Sequence, residues 1–111
     1  MKMSLHSTFK SMKEKVFLTV VGTNHYYGNT IFKIDEYVTL KKEPENPYDS
    51  DAIAVVSDKY GVCGYIANSA NTILRGTKRA SRIYDHIGDT YKAKIVYSSF
   101  DNVILEIEIN E

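Results

Sequence analysis

The chain has 111 residues, 43% hydrophobic and 25% charged, which suits one globular domain with a single core and excludes a disordered or low-complexity chain. No apolar run approaches bilayer-spanning length, no apolar signal segment follows the N-terminal lysines, and a lone cysteine, Cys63, cannot form an internal disulfide; the expectation is a soluble cytoplasmic protein with no membrane partner. Formal charge is zero but uneven: residues 1–15 hold Lys2, Lys10, Lys13 and Lys15 against Glu14, and the remainder holds ten basic and thirteen acidic side chains, so a globally basic nucleic-acid binder is excluded and any phosphate contact must come from a local patch.

In chain order, residues 1–15 are expected to form a tail or a short amphipathic helix using Leu5, Phe9 and Met12, with the domain proper over 16–111. Val16 to Val21 is apolar on both faces and predicts a central strand ended by Gly22. Thr23 to Thr30 reads as a polar loop around Tyr26-Tyr27-Gly28, and Ile31 to Leu40 as a second extended stretch interrupted near Asp35-Glu36. Pro44 and Pro47 exclude helix or inner strand from Lys41 to Asp51. Ala52 to Val56 and Val62 to Ile66 predict a hairpin turning at Ser57 to Gly61. Ile73, Leu74, Ala80, Ile83 and Ile87 then share a helical face from about Ser69 to His86, with Ser69 as N-cap, Gly88 as stop and Gly76 as a weak point. Ala93, Ile95 and Tyr97 alternate with lysines, Val103 to Ile109 alternates with glutamates, and Ser98 to Asn102 turns between them. The fold class expected is mainly β with one helical segment (α+β), a small OB-like, partly closed antiparallel β-barrel of five or six strands.

Motifs for nucleotide, dinucleotide or serine-hydrolase chemistry are absent. His6, His25 and His86 are scattered and do not combine with one cysteine into a zinc set, so no metal or cofactor is expected. Cys63 sits in a predicted strand beside Gly64 and reads as a small buried residue. The acidic run Asp35, Glu36, Glu43, Glu45, Asp49 and Asp51 fits no calcium loop and reads as solvated loop charge. The expectation is a protein that is not an enzyme.

Two segments carry more than folding requires: Val20-Val21-Gly22-Thr23-Asn24-His25-Tyr26-Tyr27-Gly28, and Leu40-Lys41-Lys42-Glu43-Pro44-Glu45-Asn46-Pro47-Tyr48-Asp49-Ser50-Asp51-Ala52-Ile53 followed by Gly64-Tyr65-Ile66. Here the chain resembles the HIRAN family, over about residues 16–97. The resemblance implies a modified OB-like barrel that holds the 3′ end of a single DNA strand, stacking terminal bases on aromatic rings and accepting a hydrogen bond from the 3′-hydroxyl on a carboxylate. Position by position it points to His25, Tyr26 or Tyr27 in the aromatic loop, to Lys42, Asn46 and Asp49, with Asp49 as hydroxyl acceptor, and to Tyr65. It departs from the family where DNA-binding members carry an arginine and a lysine and this chain has Asn24 and Asn68.

Arg75, Lys78, Arg79 and Arg82 fall at helical spacing and would replace those cations with a phosphate-tracking stripe, or simply form a solvated helix surface. Asp49 serves equally as a turn cap, and Pro44, Pro47 and Tyr48 as turn formers and packing. Three functions stay open: a non-catalytic binder of single-stranded DNA 3′ ends working with a DNA-processing protein in trans, a protein-interaction module of the same fold, and a metal-dependent phosphodiesterase using Asp49 and Asp51.

Overall fold

The computed structural model describes residues 13–110. Of the expected N-terminal tail or helix, residues 1–12, with Leu5, Phe9 and Met12, lie outside the described residues. Six strands, β1 (Lys13–Val21), β2 (Tyr37–Lys42), β3 (Ile53–Ser57), β4 (Gly61–Ile66), β5 (Thr90–Ser98) and β6 (Val103–Asn110), pair antiparallel in the order β1-β4-β3-β2-β5-β6 and close into a barrel. This is the small, mainly β antiparallel barrel with one short helix that the sequence predicts, its ring closed at a short β1–β4 seam.

Alternation explains which side chains meet inside. Val16, Leu18 and Val20 of β1 point inward with Leu40, Ile53, Val55, Ile95, Leu105 and Ile107, all buried, because period two places every second residue of a strand on the same face. The two faces of β1 differ more than its apolar run suggests. Phe17 points outward and is 38% exposed, whereas Thr19, also outward, is 3% exposed. A loop covers Thr19, and its hydroxyl meets the Thr77 hydroxyl at 2.8 Å and accepts from the Leu74 amide at 3.1 Å.

That loop exists because the seam between β1 and β4 is short. β1 pairs with β6 over eight positions but with β4 only at Val20↔Ile66 and Val21↔Tyr65. The remaining edge of β1 is covered by the chain after β4: Ala67 N–H donates to Thr19 C=O at 2.9 Å, and Lys78 N–H to Phe17 C=O at 2.8 Å. These bonds correct the predicted helix over Ser69 to His86. Only α1 (Ala80–Ile83) and a 3-10 turn at Tyr84–His86 form there. The preceding segment goes through turns, with Thr72 N–H on Ser69 C=O and Thr77 N–H on Leu74 C=O, and Gly76 in the left-handed region at φ 88°. Ser69 accepts from Asn71 N–H in a local turn and caps no helix. Satisfying the open strand edge outweighs the intrinsic preference of a Gly-interrupted helix. The apolar positions at the end of the pattern still serve the core, since Ala80, Ile83 and Ile87 are buried and plug the barrel.

Of the expected second extended stretch only Tyr37 to Leu40 is strand: Asn29–Ile31 forms a 3-10 turn, and the chain turns at Asp35 before β2. Asp35 takes φ 75° and Glu36 accepts from Ile95 N–H at 2.8 Å; a short polar side chain tolerates that left-handed backbone. No helix among the described residues is long and apolar enough to cross a membrane.

Candidate functional site

A groove of about 580 Å³ opens on the barrel wall beside the β1–β4 seam, lined by Tyr26, Asn46, Tyr48, Asp49, Tyr65, Asn68 and their neighbours. Gly64 makes the seam tight enough to place Tyr65 there: a Cβ at Gly64 would lie 2.8 Å from Val20 Cγ1 and 3.1 Å from the Val21 carbonyl oxygen. β4 can approach β1 only with a glycine at this register position.

The loop between β2 and β3 supplies the floor. Glu43 N–H donates to Ala52 C=O at 2.9 Å and Ala52 N–H to Asp49 C=O at 3.1 Å, which closes the loop onto itself. The Asn46 side chain then organises the middle: its Oδ1 accepts from the amides of Tyr48 (2.9 Å) and Asp49 (3.2 Å), and its Nδ2 donates to Glu43 Oε1 at 3.0 Å. That same Glu43 oxygen accepts from the Tyr65 hydroxyl at 2.9 Å. Burial first, and the Glu43 bond second, hold the Tyr65 phenol protonated far above the ordinary tyrosine range, so it remains a donor.

Asp49 is held from two sides. Its Oδ1 accepts from Asp51 N–H at 2.9 Å, and its Oδ2 accepts from Asn68 Nδ2 at 2.7 Å. Asn68 in turn accepts from Ser81 N–H at 2.9 Å, which anchors the carboxylate to α1. The turn-cap reading of Asp49 therefore describes one of its oxygens. Each carboxylate oxygen has a second lone-pair site, so the group can still accept from a ligand in the groove. Two hydrogen bonds orient the carboxylate.

The aromatic loop divides its residues. A 3-10 turn at Thr23–His25 follows Gly22, whose φ of 76° lets the chain turn out of β1. Tyr26 lines the groove with its ring centroid 6.5 Å from that of Tyr65, planes tilted by 42°. Tyr27 packs on Tyr60 of the β3–β4 hairpin at 4.8 Å. His25 is exposed and is not among the groove-lining residues. Of the three aromatic-loop candidates, the structure brings Tyr26 to Asn46, Asp49 and Tyr65, and places His25 and Tyr27 elsewhere. Lys42 is also outside the groove lining: its ammonium lies 4.4 Å above the Tyr84 ring. Desolvation, then the carboxylates of Asp51, Asp89, Asp85 and Asp49, raise the Tyr84 phenol. Lys42 is thus placed on the Tyr84 ring and not in the groove lining.

Sequence reasoning missed three residues here. Tyr48, read as turn and packing, is 95% exposed, so its ring packs on little of the protein and stands at the groove rim. Glu43, read as solvated charge, joins Asn46 to Tyr65. Asn68, read as a lost cation, holds Asp49. Phe100 is another strongly exposed aromatic, at 94%. It lines a smaller cavity, of about 320 Å³, that shares Val21 and Thr72 with the groove and continues past Asn24. Its turn is fixed by Asn29, whose Nδ2 donates to the carbonyls of Ser99 (3.0 Å) and Phe100 (2.9 Å) and whose Oδ1 accepts from the Thr23 hydroxyl.

Arg75, Lys78, Arg79 and Arg82 do not form the expected stripe, because Arg75 and Lys78 precede α1 and the helix that would align them is not there. Arg75 lies in the turn at Gly76, Arg79 leads into α1, and only Lys78 and Arg82 share a cleft, on the far side of α1. Among the described residues no three His, Cys, Asp or Glu side chains are grouped to hold a metal ion. Cys63 is fully buried with its thiol directed at Val55 C=O, 3.4 Å away, and burial pushes its pKa up to about 11; a thiol held protonated is a poor nucleophile.

The profile of the HIRAN domain matches residues 13–109. A crystal structure of the HIRAN domain of human HLTF is similar at 17% identity with a TM-score of 0.58, covering 93% of this chain and 84% of that one. A crystal structure of a protein from Lactobacillus plantarum is similar at 19% identity with a TM-score of 0.55, covering 88% of this chain and 99% of that one. At these identities the two structures establish the shared fold. No curated protein matches the chain significantly.

Proposed function

The chain belongs to the HIRAN family, matched over nearly its whole length, and on that premise we propose that it is a non-catalytic module that binds the 3′-hydroxyl end of single-stranded DNA. The observation that carries the reading is the groove itself: exposed aromatic rings of Tyr26 and Tyr48, with Tyr65 behind them, surround a carboxylate held from both sides. Such rings offer stacking surfaces to any base, about 1–3 kcal/mol per base. Asp49 accepts the hydrogen bond of a free 3′-hydroxyl, about 1.5–3 kcal/mol for a charged acceptor, and repels a 3′-phosphate, so end chemistry is selected by attraction and repulsion together. The next base would follow the smaller cavity toward Phe100.

Phosphate attraction in this groove is weak. By the resemblance, Asn24 and Asn68 stand where the family's DNA-binding members carry cations, and Glu43, Asp49 and Asp51 lie in or beside the site, so stacking and the end hydroxyl would dominate affinity. The chemistry that consumes or extends the end would belong to a protein acting in trans. A protein-interaction module is the second reading, supported by a groove of about 720 Å³ flanked by Phe32, the half-exposed Ile34 and Phe100.

Fluorescence anisotropy with a short labelled strand, comparing a 3′-hydroxyl with a 3′-phosphate at two salt concentrations, tests the reading. Tighter binding to the hydroxyl end, lost in Asp49→Asn and Tyr26→Ala, supports it. Equal affinity for both ends refutes end recognition, and no binding at low salt turns the assignment to partner capture.

A further inference from the structure

The end-binding groove makes no use of three donors that converge elsewhere. Lys78, Arg82 and His86 follow one another at intervals of four residues, before, within and after α1, and line a cleft of about 250 Å³ at the barrel mouth where β1 begins and β6 ends. The floor is apolar, formed by Val16, Ile83 and Ile109 at 3%, 1% and 6% exposure, while the three donor side chains are exposed at the rim. One carboxylate, Glu14, is among the lining residues. Among the described residues neither cation takes part in an ion pair; the one ion pair there joins Lys94 to Asp35, at 3.6 Å.

This inverts the charge of the surroundings. The chain beyond residue 15 carries more acidic than basic side chains, yet here two permanent cations and an imidazole stand over a small apolar floor. Ionised donors form the stronger hydrogen bonds, and a guanidinium matches two phosphate oxygens at once. An apolar floor suits the sugar or alkyl part of a phosphate ester. We propose that this cleft binds a phosphate group, held by Lys78, Arg82 and His86. The phosphate belongs either to the backbone of a nucleic-acid strand or to a free phosphate ester, since both present the same oxygens. The site does not depend on end recognition: α1 presents Ser81 to Asn68 and Arg82 to this cleft.

The test is an amide-resolved NMR titration of the full chain with inorganic phosphate, followed by anisotropy with a single strand. Phosphate is expected to shift amides around Lys78, Arg82 and His86 and to leave those of Asn46 and Asp49 in place. Arg82→Gln and Lys78→Gln each weaken that binding roughly tenfold, the loss of one charge-assisted contact. Arg75→Gln removes the same charge outside the cleft and leaves phosphate binding unchanged. A strand whose salt dependence falls by about 0.7 in slope in Arg82→Gln identifies the backbone as the source; an unchanged slope with phosphate binding intact in the wild type identifies a free ester. Phosphate that moves no amide in the cleft, or Arg75→Gln as damaging as Arg82→Gln, overturns the proposal.

Discussion

Asn68→Ala isolates the link between the barrel plug and the carboxylate. The substitution removes a bond from Asn68 Nδ2 to Asp49 Oδ2 at 2.7 Å and a bond from Ser81 N–H to Asn68 Oδ1 at 2.9 Å. The first is charge-assisted and falls in the range of about 1.5–3 kcal/mol, the second is neutral and worth about 0.5–1.5 kcal/mol. Asn68 is half-buried and Ser81 is exposed, so water replaces part of both, and the expected loss is about 1.5–2 kcal/mol. For a domain of this size that lowers Tm by roughly 6–9 °C. Circular dichroism melts and urea titrations measure it, with m unchanged because the denatured state is not altered. Asp49 keeps its bond to Asp51 N–H but loses its outer restraint, so discrimination between a 3′-hydroxyl and a 3′-phosphate should narrow in the same variant. A stability loss below about 0.5 kcal/mol, with discrimination intact, would show that Asn68 is a bystander and that the Asp49 carboxylate is positioned by its own turn alone.

Gly64→Ala forces a Cβ to 2.8 Å from Val20 Cγ1 and should cost about 1–3 kcal/mol in a urea titration; the cost vanishing would mean β1 and β4 separate freely at the seam. Tyr48→Ala should leave stability within about 0.5 kcal/mol, as expected for a surface ring, while weakening strand binding about tenfold or more. Tyr27→Ala, which breaks the packing on Tyr60, should do the reverse in the same two assays. Stability should fall as pH rises from about 9 to about 11, because the unfolded thiol of Cys63 ionises near its ordinary value while burial keeps the folded thiol protonated. Below pH 9 that contribution is complete. Melts of wild type and Cys63→Ala across this window should converge toward high pH, and parallel curves would assign alkaline unfolding to other groups.

Strand identity and facing were legible because they depend on nearest neighbours along the chain. Period two in Val103 to Ile109, the glycine that ends β1, and two prolines that forbid regular structure between β2 and β3 report local geometry directly. The family resemblance carried by the aromatic loop, the Asn-Pro-Tyr-Asp run and Gly64-Tyr65-Ile66 implied Tyr26, Asn46, Asp49 and Tyr65, residues the fold does bring to one groove.

What tertiary structure decided were the competitions. Ser69 to Lys78 has a helical pattern, but β1 has too few pairs with β4, and its exposed backbone claims that segment as cover; no property of the segment itself announces the need. The same event disperses the arginine stripe and leaves Lys78 and Arg82 beside His86. Which of His25, Tyr26 and Tyr27 faces the groove depends on Tyr60 and Tyr65, which lie dozens of positions away. Asn68 looked like an absent charge until its two bonds placed it between α1 and Asp49. A sequence states what each residue prefers, and a closed barrel determines which preference is satisfied, because sealing its last edge requires backbone partners from wherever the chain can reach.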